Sequence, residues 1–194
     1  MAARTPRYAT YTQGDYADTL YQAVLAGNHA AVESLLDGGV SPNVLRGALG
    51  PLHHAVAQED TRMIALLVAF GADVNARCTT QHLTPLMLAA AQNSPELCRL
   101  LVEAKSDVDA VNAQGMSALM LAVVEGSTQI TRMLTGAGAD IFQRNKRDQI
   151  AYDLALAHGH SECAAILYAT MCLPRLHRAR TLQAPRLPFL PRKK

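Results

Sequence analysis

Thr84-Pro85-Leu86-Met87-Leu88-Ala89 and, 33 residues later, Ser117-Ala118-Leu119-Met120-Leu121-Ala122 carry one pattern: a hydroxyl residue, leucine two positions on, alanine five positions on. Working outward, the alanine column extends to Ala23, Ala55, Ala89, Ala122 and Ala155, at spacings of 32, 34, 33 and 33. Leu20, Leu52, Leu86, Leu119 and Tyr152 precede those alanines by three, and Leu35, Leu67, Leu101, Leu134 and Leu167 follow them by twelve. A period held through several columns means stacked supersecondary units. Gly39, Gly71, Lys105 and Gly138 form a further column, each followed two residues on by Ser41, Asp73, Asp107 or Asp140, so a turn recurs with the units.

Within a unit the local signals give two short antiparallel helices. Pro51 suits a first helical turn, where its missing N–H has no helical partner. Leu52, Ala55 and Val56 make an apolar stripe at i, i+3 and i+4. After Gln58-Glu59-Asp60 a second stripe runs through Met63, Ile64, Leu66, Leu67 and Phe70, and Gly71 ends it, as a residue just past a helix often needs positive φ. The small alanines let neighbouring helices approach closely, so Ala89→Leu or Ala122→Leu would overpack that line.

Gly50-Pro51-Leu52-His53-His54-Ala55, together with the two stretches quoted first, resembles the Thr-Pro-Leu-His-x-Ala signature of ankyrin repeats, and Gly71-Ala72-Asp73-Val74-Asn75-Ala76 resembles that family's turn. The resemblance covers about residues 18–168. It implies an all-α solenoid of about five stacked helix-turn-helix units, at 18–44, 45–77, 78–110, 111–143 and 144–168. Residues 1–17 are expected to be a flexible lead-in and 169–194 an extended basic tail broken by Pro174, Pro185, Pro188 and Pro191. Asp18-Thr19-Leu20-Tyr21 and Ile150-Ala151-Tyr152-Asp153 depart from the signature and read as terminal caps, whose outer faces need polar or covered surfaces. Lys105 in the glycine column costs on the order of 1 kcal/mol if its backbone is left-handed.

Composition agrees with a folded body: 49% of the residues are hydrophobic and 18% charged, with no Trp. The longest apolar tract, Ile64 to Phe70, is far below the ~18 residues of a membrane span. No apolar segment follows Arg4 and Arg7, so a secretory signal is not expected, and the chain is expected to be intracellular, in cytoplasm, nucleus or both. Cys78, Cys98, Cys163 and Cys172 lack paired spacing and read as reduced thiols.

Catalytic signatures are missing. There is no G-x-x-x-x-G-K-[ST], no H-E-x-x-H, no C-x-x-C and no G-x-S-x-G, so neither enzyme activity nor a cofactor is expected. His158, His160 and Cys163 put three soft donors within six residues, but the family resemblance implies that His160 is a structural imidazole bonded to a neighbouring loop, and Cys163 falls in a core column. His53 is the signature histidine, and structure accounts for it better than catalysis. Leu67 followed by Asp73-Val74-Asn75 resembles the motif at which an oxygen-sensing dioxygenase hydroxylates ankyrin asparagines; the competing reading is that Asn75 satisfies turn backbone.

Function therefore falls to surface. In the family, variable contacts come from turn tips and from positions just after the alanines. By column these are Arg46, Leu49, Ala57 and Gln58; Thr80, Gln81, Leu83 and Gln92; Gln114, Met116, Val124 and Glu125; and Lys146, Arg147, Gln149 and His158. Leu49, Leu83 and Met116 share one column, which makes either an apolar contact strip or packing between adjoining tips.

Charge divides the chain, with net −5 over residues 1–168 and +7 over 169–194 from Arg175, Arg178, Arg180, Arg186, Arg192, Lys193 and Lys194. One aromatic, Phe189, is too little stacking surface for nucleic-acid recognition. The leading expectation is a monomeric, non-enzymatic adaptor holding one or more proteins on its concave face. The alternatives are a nuclear transcriptional co-regulator using the tail for import or weak nucleic-acid contact, and a ubiquitin-ligase substrate adaptor, since Cys172-Leu173-Pro174 and Leu187-Pro188-Phe189-Leu190-Pro191 are loosely similar to a recruiting box.

Overall fold

The computed structural model describes residues 13–44 and 48–181. Among them are ten helices and no strand: α1 Gln13–Leu25, α2 His29–Asp37, α3 Pro51–Ala57, α4 Thr61–Ala69, α5 Pro85–Ala91, α6 Pro95–Glu103, α7 Ala118–Val124, α8 Thr128–Gly136, α9 Ala151–Ala157 and α10 Ser161–Thr181. Each odd helix pairs with the even helix after it, and the odd helices also pack in a row, α1 on α3, α3 on α5, α5 on α7 and α7 on α9. This is the all-α solenoid that the period demands. Thr84 Oγ1 accepts from Met87 N and Ser117 Oγ from Met120 N, so the hydroxyl at the head of the signature is an N-cap. Asn28, Asp60 and Ser127 cap the second helices in the same way.

The core is one continuous cluster along the stack. Leu20, Leu86 and Leu119 of the leucine column and Ala55, Ala89, Ala122 and Ala155 of the alanine column are all within 1% of complete burial. Burying such side chains supplies the stability of each interface, at about 25 cal/mol per Å² of apolar surface. Lys105 has φ +67°, so the one non-glycine member of the turn column does sit in left-handed backbone.

Three expectations about the ends require correction. Helix α1 starts at Gln13, not at 18, because Tyr16 continues the stripe of Leu20, Ala23 and Val24 by one more turn; residues 1–12 lie outside the described residues. Helix α10 runs through Pro174 to Thr181, so the chain from 169 to 181 is not extended. Pro174 removes one N–H bond, at a cost of about 3 kcal/mol in an isolated helix. The surrounding Ala169, Met171, Leu173, Leu176 and Ala179 are good helix formers that continue on either side.

Among the described residues, the outer face of the fifth unit is not a polar cap. Leu156 is 57% exposed, whereas Val24, Val56, Ala90 and Val123 in the same column are completely buried by the unit that follows them. Tyr168, whose ring lies 6.4 Å from that of Tyr152, is 59% exposed. No helix of the described residues is long and apolar enough to cross a membrane.

Candidate binding face

The turn tips are joined by backbone hydrogen bonds. Thr79 N donates to Ala48 O (3.0 Å), Ala113 N to Gln81 O (2.9 Å) and Lys146 N to Gln114 O (3.0 Å), so successive tips form one ladder running along the stack. Gly115 (φ +74°) permits the last rung, since a Cβ there would lie 3.0 Å from Lys146 N. Each tip is closed from inside by a side chain: Asn112 Oδ1 accepts from Met116 N, and Asn145 Oδ1 from Gln149 N. At the preceding tip Cys78 Sγ takes that role, accepting from Leu83 N at 3.2 Å across a span one residue longer. Burial opposes ionisation of this thiol, but the N–H groups of Gln81, Leu83 and Thr80 and the Thr80 hydroxyl outweigh it and hold its pKa below the ordinary thiol value.

The histidines singled out in the sequence tie units together. His53, completely buried, donates from Nε2 to Leu83 O (2.9 Å), and burial lowers its pKa despite that bond. His160 donates from Nε2 to Val124 O (3.0 Å), the structural role that the family resemblance implies. His158 stacks on it with ring centroids 6.2 Å apart. Cys163 is buried beside the Thr131 hydroxyl, and among the described residues no group of three His, Cys, Asp or Glu side chains is arranged to hold a metal ion. Burial alone pushes the Cys98 thiol up to about 12.

A second ladder occupies the turns after the even helices. Asn43 Oδ1 accepts from Asp73 N (2.7 Å), Asn75 Oδ1 from Asp107 N (2.8 Å) and Asp109 Oδ1 from Asp140 N (2.7 Å). Asn75 is exposed, yet its amide oxygen is committed to turn backbone.

The expected contact residues divide into two groups. Leu49, Leu83 and Met116 are half-buried, and Leu83 and Met116 pack on the core, so this column is largely tip packing. Gln58 Nε2 donates to Leu25 O and Gln92 Nε2 to Ala57 O; both amides are rungs to the previous unit. Thr80, Gln81, Gln114, Glu125, Lys146, Arg147 and His158 are exposed. The fold gathers Gln114, Met116, Val124, Lys146, Arg147, Gln149 and His158 around one groove of about 350 Å³ between the fourth and fifth units. The sequence columns did not single out Ala113, Asn145 or Leu154, which also line it, because the alanine-relative positions used to select contacts skip the buried Leu154 and Asn145. Arg46, Arg186, Arg192, Lys193 and Lys194 lie outside the described residues, and Arg175, Arg178 and Arg180 fall in the last turns of α10.

Stacked helix pairs with linked tips define a repeat scaffold. The family model for ankyrin repeats, in a form with three copies, matches residues 20–112 and 87–174, and the chain belongs to the ankyrin-repeat family. It is 37% identical over 67 residues to protein phosphatase 1 regulatory subunit 27 of Mus musculus and 36% identical over 67 residues to that of Homo sapiens; each match covers 34% of this chain and 43% of the relative. It is also 35% identical over 85 residues, 43% of this chain, to the glycerophosphocholine phosphodiesterase gde1 of Schizosaccharomyces pombe. That match spans 8% of the phosphodiesterase and is a likeness of repeats, which carries no catalytic likeness. The chain thus spans less than half the length of these curated relatives.

Proposed function

We propose that this protein is a non-enzymatic adaptor that holds a protein partner against the face made by its turn tips and the inner helices α3, α5, α7 and α9. The observation that carries the reading is the backbone ladder Thr79–Ala48, Ala113–Gln81 and Lys146–Gln114, which holds exposed tip side chains in a fixed row. A preformed row loses little conformational entropy on binding, so modest contact area can be converted into affinity. Protein phosphatase 1 is the first partner to try, because the name of two relatives describes a regulatory subunit of that enzyme.

The test uses the full chain and a variant with Thr80→Glu, Gln81→Glu and Gln114→Glu, three exposed positions whose substitution leaves the core intact. Surface plasmon resonance against the purified phosphatase catalytic subunit, with circular dichroism confirming both folds, gives the answer. Loss of binding in the variant supports the face. Binding that survives the tip changes places the contact elsewhere, and absence of binding removes this phosphatase as the partner.

A further inference from the structure

We propose that the groove between the fourth and fifth units takes a short acidic segment of a partner protein that presents one apolar side chain. The inference rests on the adaptor reading and names the partner chemistry of one part of that face.

The floor of the groove is apolar: Met116 and Val124 are half-buried and Leu154 is 6% exposed. Lys146, Arg147 and His158 line its walls, and no carboxylate does. The same tip carries Arg144 and Asp148, but these are bonded to each other, Arg144 Nη1 lying 3.1 Å from Asp148 Oδ2 and 2.7 Å from Asp148 O. Their charges cancel locally. Lys146 and Arg147 have no ion-pair partner among the described residues, so two unopposed cations overlook the apolar floor.

Among the described tips, this charge is confined to the last one. The exposed residues of the preceding described tips, Thr80, Gln81 and Gln114, are neutral, and the cavity at the first two units has both Asp73 and Arg77 in its lining. The chain ahead of its basic C-terminal segment is acidic, with net −5 over residues 1–168. A cationic groove on an acidic body repels wrong partners as well as attracting the right one, since charge complementarity acts mainly on encounter and selectivity. The apolar floor supplies the affinity that exposed ion pairs by themselves do not, their individual worth being small.

The competing cationic element is the C-terminal segment with Arg175 to Lys194, so the experiment must separate groove from tail. Two fluorescein-labelled peptides serve as probes, one with a central leucine flanked by three glutamates on each side, the other with lysines in place of the glutamates. Fluorescence anisotropy is read against the full chain, the groove variant Lys146→Glu/Arg147→Glu, and the tail variant Arg192→Glu/Lys193→Glu/Lys194→Glu, each checked for folding by circular dichroism.

The expected result is binding of the glutamate peptide that weakens about tenfold in the groove variant, weakens with added salt and is unchanged in the tail variant. Equal binding of the lysine peptide, absence of binding by the glutamate peptide, or dependence on the tail variant alone overturns the proposal. A displayed library of random peptides selected on the full chain separates the two readings. Binders without acidic preference that are lost in a Thr80→Glu/Gln81→Glu variant, whose changes lie outside the groove, leave the adaptor face standing and remove the acidic groove; binders insensitive to both sets remove both.

Discussion

Replacing Gly126 with alanine should be far more damaging than the same change at Gly71, although both glycines are left-handed, with φ +72° and +83°. The backbone strain of a left-handed alanine is common to both and costs about 1 kcal/mol. At Gly71 nothing lies within 4 Å of where the Cβ would stand, so that strain is the whole effect. At Gly126 the Cβ would fall 2.7 Å from both Cε1 and Nδ1 of His160. The ring has to move, and it is held by its bond to Val124 O, whose loss costs about 1 kcal/mol. Repacking an overfilled site adds roughly 1 to 3 kcal/mol. Gly126→Ala should therefore cost about 3 kcal/mol or more by these principles, against about 1 for Gly71→Ala. Urea unfolding followed by far-ultraviolet circular dichroism measures both. In a repeat stack the loss can split the transition, so hydrogen exchange at α9 and α10 should locate it at the fourth interface. Adding His160→Ala to Gly126→Ala removes the collision, and the double variant should cost less than the sum of the singles. Equal costs at the two glycines, or strict additivity in the cycle, would refute the role assigned to His160.

Lys105→Gly should raise stability by up to about 1 kcal/mol, because it relieves a φ of +67° in the one turn of its column that lacks glycine; a lower urea midpoint would count against it. Stability should fall as the pH drops below 6.5. His53 and His54 both have pKa values lowered by burial, so the unfolded chain takes up protons there before the folded one does. Unfolding midpoints at pH 7.5 and 5.5 check this, and His53→Gln should shrink the difference. Asp60 acts lower: partial burial opposes it, but the His29 hydrogen bond and the Met63 N–H hold its carboxyl below the ordinary value of 3.8. Its contribution is present above 3.8 and lost as the pH falls through the folded value. We propose that Asn75 is a substrate for asparaginyl hydroxylation only when its turn opens, since its amide oxygen is bonded to Asp107 N. With dioxygen and the dioxygenase's reducing co-substrate supplied, incubation with the hydroxylase should add one oxygen to the Asp107→Pro variant, which lacks the N–H that holds Asn75, and none to the parent chain; an unchanged intact mass in both removes the modification.

The repeat itself was legible because it is local. Leu-x-x-Ala spacing, hydroxyl caps at Thr84 and Ser117, and glycine at Gly71 and Gly138 are each decided within a few residues, and the period multiplied them. The candidate site was legible only as columns. Gln58 and Gln92 stand in variable positions, yet their amides are committed to Leu25 O and Ala57 O of the preceding unit. Leu49, Leu83 and Met116 left open a choice between contact strip and packing, and half-burial decides it toward packing. The chemistry of Pro174 by itself favours a helix break, but α10 continues through it.

By itself the sequence determined the helices, the period, the all-α stack and the direction of its apolar faces, since these depend on propensity and spacing along the chain. The tertiary structure decided which polar side chains remain free, which tips are linked, and that Met116, Val124, Lys146, Arg147, Leu154 and His158 share one groove. Those outcomes turn on neighbours about 33 residues away, whose carbonyls and side chains claim or release each group only once the units have stacked. The same reason leaves Leu156 exposed where its equivalents are buried: its residue type fits the column, but no sixth unit among the described residues covers it.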